Sequence, residues 1–200
     1  MANKTHAWIG WVEEEDASGA VAETYKRARN KFSFVPDVVK VFSIRPEVAE
    51  AKDHLAEVLL GDASTLGARR ADLIGTAISG MNHCEYCGTA HSGLLATRGD
   101  MDESEAVQVY RDWRKAELDE QELAMLAFAE KLTFTPAMVE EADIELLRDA
   151  GFTDENIFDI VLLSAYRNFM NRVNDGLGVM PDRLAGRFGE SLLKAIASDT

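Results

Sequence analysis

The chain has 200 residues, enough for one domain with a sizeable core or two small helical halves packed as a unit. Apolar residues make up 46% of it, which excludes disorder, and a formal net charge of −14 argues against binding nucleic acid or an anionic membrane. Two cysteines cannot build a disulfide framework, and no window approaches the roughly 20 apolar residues of a membrane span.

Residues 1–8 show neither an apolar signal core nor a cleavage site, so the expected setting is the reducing cytoplasm. Ser18 is placed to cap a helix reaching about Lys31, with Val21, Tyr25, Ala28 and Phe32 on its buried stripe. Pro36 and Pro46 each stand where a first helical turn would begin, and Gly61 stands where the second of these helices would end. From Leu66 to Met81, Leu73, Ile74, Ala77, Ile78 and Met81 recur at helical spacing. A break at Asn82 and His83 precedes a helix from about Cys84 to Arg98, stopped by Gly99. Asp102 opens a helix carrying Ala106, Val107, Tyr110 and Trp113, and further helices are predicted at 119–132, 140–150, 153–173 and 183–197. No stretch alternates with a strand's period of two, so the predicted class is all-α.

Sliding the chain by 52 residues brings two segments into step: Leu66–Leu73 meets Leu118–Met125, Leu94-Leu95 meets Leu146-Leu147, Gly99 meets Gly151, and Asp102-Glu103 meets Asp154-Glu155. Amphipathic helices also resemble one another by chance, but a true repeat would make the differences informative. Cys84, Cys87, His91 and Asp72 fall opposite Pro136, Val139, Asp143 and Ala124, so one half alone carries a reactive set. The expected layout is a single helical domain over 1–200, with N-terminal helices in 1–61, a redox-active half in 62–113, a degenerate repeat in 114–180 and a C-terminal helix in 181–200.

At about 100° per residue, positions 84, 87 and 91 lie within about 60° of one another on a helix. A Cys-x-x-Cys at a helix start places sulfur near unpaired N–H groups and the positive end of the dipole, which favours thiolate and can lower a thiol from about 8.5 to roughly 7 or below. His91, one turn beyond Cys87, is placed to take its proton, leaving Cys84 as the resolving thiol. Three other readings remain open. The pair could be plain core packing, or a zinc site with Cys84, Cys87 and His91, although no second ligand pair supplies a fourth donor. A thioredoxin-like motif would need strands.

The run Asp72-Leu73-Ile74-Gly75-Thr76-Ala77-Ile78-Ser79-Gly80-Met81-Asn82-His83-Cys84-Glu85-Tyr86-Cys87, followed by His91, resembles the signature of the alkylhydroperoxidase D-like (AhpD-like) proteins of the carboxymuconolactone decarboxylase superfamily. Residues 152–161 with Asn168, Phe169, Asn171 and Arg172, and the early Phe34-Val35-Pro36 to Arg45-Pro46-Glu47 region, resemble the longer "peroxidase-related" branch. The resemblance implies a multi-helical AhpD-like bundle and a thiol-dependent hydroperoxide reductase or disulfide oxidoreductase. In it Cys87 attacks, Cys84 closes the disulfide, His91 activates Cys87, and the upstream acid feeds protons through the His. The family acid is usually Glu, so Asp72 is one methylene short, and it also reads as a solvated helical acid. Tyr86 would line the entrance or simply pack; His83 would tune the pair or sit exposed.

A small hydroperoxide is the expected substrate and an external dithiol, lipoyl or thioredoxin-like, the expected reductant, with no haem, flavin or metal cofactor and a homo-oligomer, trimer or hexamer. The alternatives are a decarboxylase-like lyase, whose chemistry does not use Cys-x-x-Cys, and a non-enzymatic redox sensor or zinc-binding module.

Overall fold

The computed structural model describes residues 7–61, 64–182 and 190–197. They form α1 (Gly19–Phe32), α2 (Asp37–Lys40), α3 (Pro46–Leu60), α4 (Gly67–Met81), α5 (Glu85–Arg98), α6 (Glu103–Asp112), α7 (Glu120–Phe134), α8 (Glu141–Asp149), α9 (Asp154–Leu177) and α10 (Glu190–Ala197), with 3-10 turns at Val41–Ile44, Trp113–Lys115 and Pro136–Met138. The protein is all-helical, with no strand among the described residues. No described helix is long and apolar enough to cross a membrane.

Most helix starts follow the residues that signal them. Asp102, Asp119 and Thr153 each cap a helix through their side chains and donate their own N–H to the side chains of Glu105, Glu122 and Asn156, a reciprocal arrangement typically contributing ~1 kcal/mol each. Ser18 holds the N-cap position of α1 but its side chain makes no capping bond. The segment after Pro36 yields only the one-turn α2 and a 3-10 turn. Of the helix predicted over 183–197, residues 183–189 lie outside the described residues and 190–197 are helical.

The 52-residue shift is visible in the elements. It carries 67–81 onto 119–133, against Glu120–Phe134 for α7, and 85–98 onto 137–150, against Glu141–Asp149 for α8; the start of α6 lands on 155, against Asp154 for α9. Where α5 begins with its cysteines, the second half has the 3-10 turn Pro136–Met138.

The two larger of four apolar clusters among the described residues make up most of the core. Leu73, Ile74 and Ile78 of α4 pack with Leu95, Met125, Leu126, Ile160 and Leu163 in the larger one. The second joins Val41, Phe42 and Leu59 from the N-terminal region to Tyr166 and Met170 of α9, with Cys84, Tyr86 and Cys87 among them. Helix α4 lies at the centre of this arrangement, against α5, α6, α7 and α9. Its Gly80 allows that approach: a Cβ there would sit 1.8 Å from the Tyr110 carbonyl oxygen of α6.

Candidate active site

The turn between α4 and α5 sets the cysteines. His83 takes φ +54°, its N–H donates to the Gly80 carbonyl at 3.0 Å, and the Cys84 N–H donates to the Ser79 carbonyl at 2.9 Å. This is a Schellman closure, with His83 in the left-handed position that glycine usually fills. The closure makes Cys84 the N-cap of α5, and its carbonyl accepts the first helical bond, from the Gly88 N–H at 2.8 Å. Cys87 is then the third helical residue, within the first turn of α5. His83 itself is exposed.

Both cysteines are free thiols, Cys84 at 0% exposure and Cys87 at 6%. Asn174 of α9 donates from Nδ2 to the Cys87 sulfur at 3.1 Å. The hydrogen bond with the Cys84 thiol lowers the Cys87 thiol most; burial opposes it, while Asn171, Asn174 and the Arg167 charge add to the lowering. Cys84 moves the other way, raised first by its bond to Cys87 and then by burial and the Cys87 charge. The two sulfurs are therefore unequal: Cys87 is the one poised to ionise, with Cys84 as its hydrogen-bond donor.

His91 follows one turn along α5, at 8% exposure. Burial first, then the Arg167 charge, push its imidazole down to about 4 against the opposing pull of Asp72. The ring is neutral near pH 7, the state a proton acceptor requires. Its Nδ1 lies 3.5 Å from Asp72 Oδ1, an electrostatic contact without the alignment of a hydrogen bond. Gly75 allows even this reach, since a Cβ there would meet His91 Cγ at 2.8 Å and Nδ1 at 2.9 Å.

Asp72 is fully buried, so the reading of it as a solvated surface acid does not hold. Arg98, at the end of α5, clamps it with Nε to Oδ2 at 2.7 Å and Nη2 to Oδ1 at 3.1 Å. Burial would push the carboxyl up, but His91 and Arg98 outweigh it and hold it below the usual carboxylate range. An acid held ionised this way orients and polarises the imidazole; it is a poor proton donor.

Tyr86 is buried among the second cluster, its hydroxyl 3.5 Å from Asp182 Oδ2. Sequence reasoning marked Asn171 through the family resemblance alone and missed Arg167 and Asn174 of α9. Predicted to end near 173, this helix runs to Leu177 before Gly178 (φ +64°) stops it, and the added turn carries Asn174. Arg167, Asn171 and Asn174 follow at i, i+4 and i+7, all buried. Asn171 accepts from Asn82 at 2.9 Å and donates to Ser79 Oγ at 3.3 Å, tying this stripe to the end of α4. Among the described residues no group of three His, Cys, Asp or Glu side chains is placed to hold a metal ion.

No family model matches the sequence, and no curated protein matches it. Solved structures do. An uncharacterized peroxidase-related protein from Silicibacter sp. TM1040 is 29% identical over 94% of this chain and 98% of its own, with a TM-score of 0.82. An alkylhydroperoxidase AhpD core, an uncharacterized peroxidase-related protein from Ralstonia eutropha JMP134, is 28% identical over 94% and 96%, with a TM-score of 0.84. In fold and over nearly its whole length the chain is similar to the AhpD-like, peroxidase-related proteins. The debrominase Bmp8 shares the AhpD-like fold at 20% identity, with a TM-score of 0.72 over 98% of this chain and 100% of its own.

Proposed function

We propose that this AhpD-like protein is a thiol-dependent hydroperoxide reductase working through Cys87 and Cys84. The observation that carries the reading is the Cys87 sulfur, which accepts a hydrogen bond from Asn174 at 3.1 Å beside the Cys84 thiol, in surroundings that loosen its own proton. The Cys87 thiolate attacks the nearer peroxide oxygen, the O–O bond breaks, and the departing alkoxide takes a proton to leave as alcohol. Cys87 is now a sulfenic acid. The Cys84 sulfur displaces its hydroxyl, which leaves as water with the Cys84 proton, and the disulfide closes. Neutral His91 relays the Cys87 proton to solvent as the resting thiolate forms, the leaving oxygen later takes its proton from solvent, and Asp72, fixed by Arg98, keeps the ring oriented.

An external dithiol must reset the pair. The depth of the sulfurs favours a small hydroperoxide as substrate and a slender lipoyl-type arm over a globular thioredoxin-like donor. The chemistry needs a reducing compartment, as in the cytoplasm. Exposed apolar side chains on α3 (Leu55, Val58) and across α7 to α9 (Phe134, Leu146, Phe158) support a homo-oligomer, for which sedimentation is the check.

The test is to treat reduced protein with an alkyl hydroperoxide and analyse the peptide holding residues 84–87 by mass spectrometry. Loss of two hydrogens in the wild type, and a trapped sulfenic acid on Cys87 in Cys84→Ser, support the mechanism. Thiols that survive excess peroxide unchanged exclude it.

A further inference from the structure

Arg167 has a charge that the mechanism leaves unexplained. It is 6% exposed, forms no ion pair with a carboxylate among the described residues, and its buried Nε–H has no acceptor. Its guanidinium lies 5.7 Å from the ring centre of Tyr166, which belongs to the cluster enclosing Cys84 and Cys87. A buried cation is costly unless something anionic compensates it. On the same face of α9, Asn174 touches the Cys87 sulfur and Asn171 is anchored beside it. The titratable groups around that sulfur are Cys84 with Asp175 behind it, His91 with Asp72 and Arg98, Tyr86 with Asp182, Tyr166, and Arg167. Arg167 is the cation among them that lowers Cys87, and Cys87 in turn supports the charge of Arg167.

We propose that Arg167 is a positioning residue whose counter-charge is the Cys87 thiolate, so that it stabilises the reduced pair over the disulfide and makes Cys84–Cys87 a readily reduced, oxidising couple. The inference rests on the thiol mechanism above and extends it to the resetting half of the cycle. Reduction of the disulfide takes two electrons from the external dithiol and breaks the S–S bond. Cys84 takes up one proton, and Cys87 keeps its negative charge against Arg167. Oxidation removes that charge and leaves the guanidinium uncompensated in the interior. The disulfide state is thereby disfavoured, as in any couple whose reduced form is selectively stabilised.

Two readouts follow from equilibration with lipoate/dihydrolipoate buffers, with the thiol and disulfide forms counted by mass spectrometry. Because one proton accompanies two electrons, the wild-type potential should fall by about 30 mV per pH unit near neutrality, the value for a tenfold change in a two-electron couple. Uptake of two protons, seen as about twice that slope, overturns the proposal with no variant needed. Arg167→Met should favour the disulfide at least tenfold, a potential about 30 mV lower, and should take the steeper slope, whereas Arg167→Lys should retain most of the wild-type behaviour. A Met variant with the wild-type potential and slope, its fold verified by circular dichroism, overturns the role of Arg167 while leaving the thiol mechanism standing. If no disulfide forms in the wild type, both fail.

Discussion

Removing the His91 imidazole should abolish a distinct component of acid sensitivity. An ordinary histidine titrates near 6.5, and burial with the Arg167 charge lowers this one to about 4. The folded protein therefore binds fewer protons at this site than the unfolded chain wherever pH lies between those values. The neutral ring's contribution is fully present above about 6.5 and is lost progressively as pH falls toward about 4. Integrating that difference from pH 7 to pH 5 gives a loss of about 2 kcal/mol from this one group. Urea unfolding at both pH values, for wild type and His91→Gln, isolates it, because other titrating groups cancel in the comparison. The wild type should lose about 2 kcal/mol more than the variant across that interval. Equal losses in the two proteins would mean that His91 is not held neutral by its surroundings, and its assignment as proton acceptor would lose its basis.

Other perturbations probe the neighbouring parts. Gly75→Ala drives a methyl into the His91 ring and should lower peroxide-dependent turnover while destabilising the fold by about 1–3 kcal/mol, measured by thermal unfolding. Arg98→Ala leaves a fully buried carboxylate without its clamp; a loss of ~2 kcal/mol, reduced from a fully buried pair because Arg98 is half exposed, should appear in urea titrations. Asn174→Ala should slow reaction of Cys87 with peroxide in single-turnover kinetics, since the donor to its sulfur is gone, while Cys84→Ser at high peroxide should accumulate the sulfenic acid. Tyr86→Phe should change stability by under about 1 kcal/mol, because the hydroxyl contact it removes is already 3.5 Å long.

The helical class and most element boundaries were legible because they depend on local signals: the stripe of α4, the acidic caps of α6 and α7, and the glycine ending α5. The cysteine pair and His91 were legible for the same reason, since their spacing alone aligns them on one helix. What escaped depends on partners from other helices. Arg98 reads in sequence as the last basic residue of α5, and only the approach of α4 shows that it holds Asp72. Asn171 was marked by the family resemblance alone, and Arg167 and Asn174 look like ordinary polar residues of a long helix until α9 is laid against the start of α5. Asn174-Asp175-Gly176 reads as a helix end, yet α9 continues through it because Asn174 is buried and bonded to the Cys87 sulfur. His83 showed no glycine to mark the left-handed turn that makes Cys84 an N-cap.

The direction of the disulfide chemistry depends on which sulfur ionises, and carbon-labelled cysteine followed by NMR across a pH titration reads each β-carbon separately. Cys87 should lose its proton well below the ordinary thiol value of about 8.5, while Cys84 stays protonated throughout that range. Cys84 ionising first, or both remaining thiols through that range, would contradict the assignment and with it the direction of the disulfide chemistry.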